Sequence, residues 1–98
     1  MKEYYVYILI CSDDSFYTGI TNDLTRRVRE HNIGIEKSCY TYNRRPLELK
    51  WFQNFVEPNE AIKREKQIKG WSRKKKIALI NSNYQDLILF SKNYSENN

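Results

Sequence analysis

Five side chains in this sequence have types and spacings that suit proton transfer beside an anionic group: Tyr7, Tyr17, Arg27, His31 and Glu65. Two phenols, a guanidinium and the only histidine of the chain are concentrated between Tyr7 and His31. A free phenol ionises near pH 10 (about 10 in model peptides), so a tyrosine that takes up a proton at neutral pH needs a cation beside its anion. Arg27 is a source of that charge. Glu65 falls inside an apolar helical sector, where a carboxylate must be paired with a cation, hydrogen-bonded or bound to a metal. A salt bridge to a core-edge arginine such as Arg27 is the structural alternative.

The elements that must position these groups can be read in order. Tyr4 to Cys11 is β-branched and aromatic without polar alternation, the pattern of a strand buried on both faces and central in its sheet. Ser12-Asp13-Asp14-Ser15 is turn chemistry, and Phe16 to Thr21 is a second strand, so the pair predicts an antiparallel hairpin. Its register decides whether the two tyrosines meet. A two-residue turn at Asp13-Asp14 puts Tyr7 and Tyr17 on opposite faces, and a three-residue loop puts them on the same face, because one step of register flips every side chain.

Asn22 or Asp23 caps a helix running to about His31. At about 100° per residue, Leu24, Arg27, Val28 and His31 share one face, while Arg26 and Arg29 face water or a phosphate. Asn32 to Pro46 has neither helical nor strand period and reads as a long basic-aromatic loop with room for one helical turn. Its Lys37, Tyr40, Tyr42, Arg44 and Arg45 suit stacking on bases and contact with phosphates, or else a tyrosine-packed surface.

Leu47 to Trp51 alternates and continues through Phe52 and Phe55, predicting a third strand with one wetter face. Pro58 opens a second helix, with Ala61, Ile62 and Ile68 as its buried stripe and Glu65 among them. Gly70 stops it, and Ser72 caps a third helix from Arg73 to about Ile80. Its first turn, Arg73-Lys74-Lys75-Lys76, opposes the helix dipole and is either a solvated face or a patch that tracks a phosphate backbone. Tyr84 to Phe90 reads as a short closing segment. Residues 1–90 form one expected domain, and 91–98 a frayed polar tail.

The bulk properties narrow the partners. The chain has 98 residues, 17 Lys+Arg against 12 Asp+Glu, and a formal net charge of +5. That balance favours anionic partners, nucleic acid ahead of a membrane surface. No apolar run approaches the roughly 20 residues of a membrane span. Cys11 and Cys39 form no metal-spaced pair, and Cys11 reads as a small core hydrophobe. A reduced, cytoplasmic protein is the expected setting.

Tyr5-Val6-Tyr7, nine intervening residues, then Tyr17-Thr18-Gly19 resembles the paired motif of the GIY-YIG nuclease superfamily, in particular its small stand-alone bacterial members. Asp23 to His31 is similar to the superfamily's following helix and Glu65 to its metal-binding glutamate. Tyr5 stands where the family motif has Gly, and Thr18 where it has Ile. The resemblance covers nearly all of residues 4–80 and implies an α+β fold, a three-stranded antiparallel sheet with flanking helices in the order β-β-α-β-α-α.

The function it implies is a metal-dependent endonuclease hydrolysing phosphodiester bonds, with DNA ahead of RNA, using Mg²⁺ or Mn²⁺. By position, Tyr17 would be the general base or orient the attacking water, Tyr7 would hold that water or a phosphate oxygen, and Arg27 would neutralise charge developing on phosphorus. His31 would share the proton transfer, and Glu65 would hold the metal. Arg26, Arg29, Lys37, Tyr40, Arg44, Arg45, Arg73 and Lys74 are the candidate nucleic-acid contacts, in a monomer or weak dimer with no membrane partner. Two other classes stay open: a catalytically silent nucleic-acid-binding module on the same fold, and an adaptor using Trp51, Phe52 and Phe55.

Overall fold

A computed structural model describes residues 2–81. The expected closing segment at Tyr84–Phe90 and the tail from Ser91 lie outside the described residues. The elements are β1 (Tyr4–Ile10), β2 (Phe16–Thr21), α1 (Leu24–Ile33), β3 (Glu48–Phe55), α2 (Pro58–Lys69) and α3 (Arg73–Ile80), with a 3₁₀ turn at Tyr42–Arg44. The sheet is antiparallel in the order β2-β1-β3. This is the α+β architecture expected. The apolar run of β1 is central, as its lack of polar alternation requires.

The hairpin register is the one that unites the tyrosines. Tyr7 pairs with Gly19 and Leu9 with Tyr17, which puts Tyr7, Leu9 and Tyr17 on one face. The loop is the three-residue form. The Asp14 N–H donates to the Cys11 carbonyl at 3.0 Å, the Cys11 N–H to the Ser15 carbonyl at 2.8 Å, and Asp14 is left-handed at φ 66°. A type I turn closed by a residue with positive φ is the usual way to build such a loop.

Two cores form, one on each face of β1. Val6 and Ile8 pack with Ala61, Ile68 and Leu79 of α2 and α3, while Tyr7, Leu9 and Cys11 pack with Leu47, flanked by Tyr17, Leu24, Val28 and Leu49. Strand β3 contributes to both because of a bulge. Ile8 faces Trp51 but Leu9 faces Leu49, so the register slips by one residue at Lys50. The unbroken alternation of Leu47, Leu49 and Trp51 in the sequence predicts one shared face. The extra residue instead sends Leu49 to the α1 side and Trp51 to the α2 side.

Helix α1 is capped by the Asp23 side chain, which accepts from the Arg26 N–H, and ends at Gly34 in the left-handed conformation at φ 80°. A side chain at Gly34 would also collide with the Arg45 guanidinium packed against it. Helix α2 starts with Pro58 in its first turn and buries Ala61 and Ile68. Ile62 departs from the expected stripe: it is 43% exposed. The buried face is centred on Ala61 and Ile68, about 20° apart on the helix, and Ile62 lies roughly 100° or more from both, so a third apolar residue does not share the stripe. Ser72 caps α3 by accepting from the Lys75 N–H.

Candidate active site

The side of the sheet facing α1 gathers four of the five chemistry-bearing residues. Tyr7 is 1% exposed and its hydroxyl lies 2.9 Å from His31 Nε2. His31 is 3% exposed, the only buried residue of α1, and its Nδ1 lies 2.9 Å from Thr41 Oγ1. Tyr17 packs its ring against His31 with centroids 5.1 Å apart and against Tyr7 at 6.3 Å. Arg27 is partly buried, with Glu30 at 3.3 Å and Glu36 at 3.8 Å.

Burial dominates the electrostatics of this cluster. It pushes both phenols above their ordinary value, with Tyr17 adding to the shift at Tyr7 and Cys39 to that at Tyr17; Arg27 opposes both. Burial, then the Arg27 charge, pushes His31 down to about 4, so the imidazole is neutral at pH 7. For Arg27 itself burial works against the charge, but Tyr7, Glu30 and Tyr17 outweigh it and raise its pKa. The ground state at neutral pH is therefore two neutral phenols, a neutral imidazole and a guanidinium.

Glu65 arrives from the other side of the sheet. Its side chain is 15% exposed and pairs with Lys69 at 3.3 Å, one helical turn on, while Arg27 takes Glu30 and Glu36 instead. The Glu65 charge still reaches the Tyr17 phenol and helps to raise its pKa. The glutamate thus belongs to the same electrostatic neighbourhood as the tyrosines although its helix packs on the opposite core.

The remaining candidate contacts are distributed around this centre. Arg26 and Arg29 are exposed on the outer face of α1, and Lys37 is exposed on the loop. Tyr40 is 45% exposed, stacks on Tyr17 at 6.3 Å and 18°, and carries the Arg44 guanidinium 3.7 Å from its ring centroid. Arg44 also pairs with Asp13 at 3.1 Å, and Arg73 donates to the Asp14 carbonyl and lies over Phe16, so two arginines bracket the hairpin tip. Arg45 is engaged internally, donating to the Tyr42 and Ile33 carbonyls at 2.7 and 3.0 Å. Lys74 is exposed.

Two participants, Thr41 and Asn32, escaped the sequence reading. Thr41 is 1% exposed beneath the long loop, and its hydroxyl donates to Cys39 Sγ at 3.3 Å. Nothing in the local pattern Cys39-Tyr40-Thr41-Tyr42 distinguishes a buried threonine from a surface one. The loop reaches the site because Asn32 clamps Leu47 in both directions, at 2.7 and 3.1 Å, and the Arg44 carbonyl accepts from the Ser12 N–H at 2.9 Å.

Known proteins resemble this chain in sequence and in fold. A family model described as the GIY-YIG catalytic domain matches residues 3–78. A UPF0213 protein of Haloquadratum walsbyi is 51% identical over 80 residues, covering 81% of this chain and 89% of its own. A UPF0213 protein of Staphylococcus aureus is 44% identical over 80 residues, covering 82% and 96%. Among solved structures, the solution NMR structure of a UPF0213 protein from Bacillus halodurans matches at 38% identity and TM-score 0.55, over 87% of this chain and 93% of that one. An E. faecalis protein solved by NMR matches at 35% identity and TM-score 0.60, over 87% and 90%. Among the described residues, no helix is long and apolar enough to cross a membrane.

Proposed function

The chain belongs to the GIY-YIG catalytic domain family, and from that premise we propose that it is an endonuclease that hydrolyses phosphodiester bonds in nucleic acid, DNA ahead of RNA, with Mg²⁺ or Mn²⁺ as cofactor. The observation that carries this reading is the convergence of Tyr7, Tyr17, Arg27 and His31 on one face, with the Glu65 charge felt at Tyr17.

Glu65 fits a divalent ion as a single hard oxygen donor. Among the described residues no group of three or more His, Cys, Asp or Glu side chains could hold a metal by itself, and Mg²⁺ ordinarily keeps several waters and takes phosphate oxygens as ligands. Glu65 would hold such an ion, which would supply positive charge to the phosphate and lower the Tyr17 phenol's pKa.

Hydrolysis forms a bond from a water oxygen to phosphorus and breaks the bond from phosphorus to one sugar oxygen. One proton leaves the water and one reaches the departing oxygen. Tyr17, the less buried of the two phenols, orients the water, and takes its proton only when added positive charge has lowered its raised pKa. Arg27 stabilises the charge that grows on the phosphate oxygens, the step where fixed electrostatics contributes most. Tyr7 is too buried to touch substrate in this conformation, so its role is to hold His31. The exposed Arg26, Arg29, Lys37 and Lys74, with Tyr40, Arg44 and Arg73 nearer the hairpin, are the surface that takes the nucleic-acid backbone.

One observation favours the silent binding module instead: Arg27 is already engaged by Glu30 and Glu36. A cleavage assay on single-stranded, duplex and branched DNA and on RNA, with Mg²⁺ or Mn²⁺, separates the two readings. The nuclease reading expects metal-dependent cutting that Arg27→Ala and Glu65→Gln each slow by roughly 10²-fold or more. Salt-dependent binding without cutting by the wild type establishes the silent module.

A further inference from the structure

Beneath the long loop runs a buried chain of polar atoms: Tyr7 Oη, His31 Nε2, His31 Nδ1, Thr41 Oγ1 and Cys39 Sγ, with successive contacts of 2.9, 2.9 and 3.3 Å. Both hydroxyls beside the imidazole are able to donate or accept, so the histidine's tautomer is not decided by these two contacts alone. It is decided by the ends of the chain. At one end the single proton of Thr41 is directed to Cys39, which leaves a lone pair facing Nδ1. At the other end the Tyr7 side chain is buried, and among the described residues His31 Nε2 is the one hydrogen-bond partner of its hydroxyl.

We propose that Thr41 is a positioning residue: it holds His31 in the Nδ1–H tautomer, so that Nε2 is the basic nitrogen and accepts the Tyr7 proton. Every hydrogen in the chain then has an acceptor. In the opposite tautomer the Tyr7 oxygen accepts from Nε2–H, and its own proton has no acceptor among these atoms at a site 1% exposed. An unmade bond of that kind is costly in a buried setting. Thr41 acts through His31 and touches no reacting atom.

The consequence for cleavage rests on the nuclease reading, but the tautomer does not. With Nε2 accepting the Tyr7 proton, the segment from Cys39 to Thr41 fixes the imidazole against which the Tyr17 ring packs, and so the direction of the phenol that meets the water.

His31 is the only histidine, so selective ¹⁵N-histidine labelling reports one ring without assignment. At pH 7 the full chain is expected to show Nδ1 as the pyrrole-type and Nε2 as the pyridine-type nitrogen. Thr41→Ser should keep that pattern, and Thr41→Val, which removes the hydroxyl at nearly constant shape, should invert or average it. Cleavage by Thr41→Val should fall roughly 10-fold, less than the roughly 10²–10⁴-fold of a general acid or base itself, and return with Thr41→Ser. A pyrrole-type Nε2 in the wild type overturns the proposal and needs no variant. An unchanged tautomer in a folded Thr41→Val also overturns it. If no variant cuts nucleic acid, the nuclease reading fails while the ring nitrogens still decide the role of Thr41.

Discussion

Gly19 stands directly across the strands from Tyr7, and the end of the Tyr7 ring occupies the space that a Cβ on Gly19 would fill. The nearest atoms are the Tyr7 hydroxyl oxygen and Cζ. The glycine is there for close approach, since its φ is not in the left-handed region. It lets the phenol lie flat against β2 and aim its hydroxyl at His31.

Gly19→Ala should therefore destabilise the fold by about 1–3 kcal/mol, the usual cost of overpacking a filled core. Urea unfolding measures it. In a Tyr7→Phe background the penalty should shrink, because the closest atom is gone. An alanine variant as stable as the wild type would show that the ring does not occupy this space.

His31 makes stability depend on pH. Its folded pKa, about 4, lies below the ordinary 6.5. Above the ordinary value both states are neutral. As pH falls from there to the folded value, the unfolded chain takes up a proton that the folded one refuses, and stability is lost. The loss is at most about 3 kcal/mol. The shift at exposed Asp13 acts below its ordinary 3.8, outside this window. Unfolding midpoints at pH 7 and pH 4.5 should differ in the wild type and nearly coincide in His31→Gln.

Thr18 carries a buried hydroxyl with no hydrogen-bond partner, on the face of β2 that meets the α2 core. Thr18→Val keeps the branched shape and removes the orphaned group. It should stabilise the protein by about 1 kcal/mol, read as a higher thermal midpoint. A drop would mean that the hydroxyl has a partner in solution.

Arg27→Ala separates chemistry from stability. Its ion pairs are partly exposed and should be worth no more than about 1 kcal/mol. Its loss should cost roughly 10²–10³-fold in cleavage, by analogy with removing one oxyanion donor. Parallel denaturation and single-turnover cleavage make the comparison. Equal collapse of both would reassign Arg27 to the fold.

Much of the frame was legible in the sequence because it depends on local chemistry. Asp23 and Ser72 as caps, Pro58 at a helix start and the Gly70 stop act within a few residues of themselves. The inward face of α1 also followed from spacing: His31 is buried, and Arg26 and Arg29 are exposed. The bulge at Lys50 was not legible, since it needs the facing strand to show which residue is left over. Neither was the partner of Glu65, where Lys69 on the same helix is reached more cheaply than Arg27 across the sheet.

The sequence alone determined which residue types the site would contain and which elements would carry them, because periodicity and capping are properties of adjacent residues. Only the tertiary structure decided that Tyr7 and Tyr17 share a face, that Tyr7 is sealed behind His31, and that Thr41 comes from a distant loop to hold the imidazole. A one-residue choice of turn sets the first, and long-range packing sets the others. Hydrogen-bond direction in a buried chain belongs to the folded molecule, because each group's role is fixed by the next group along.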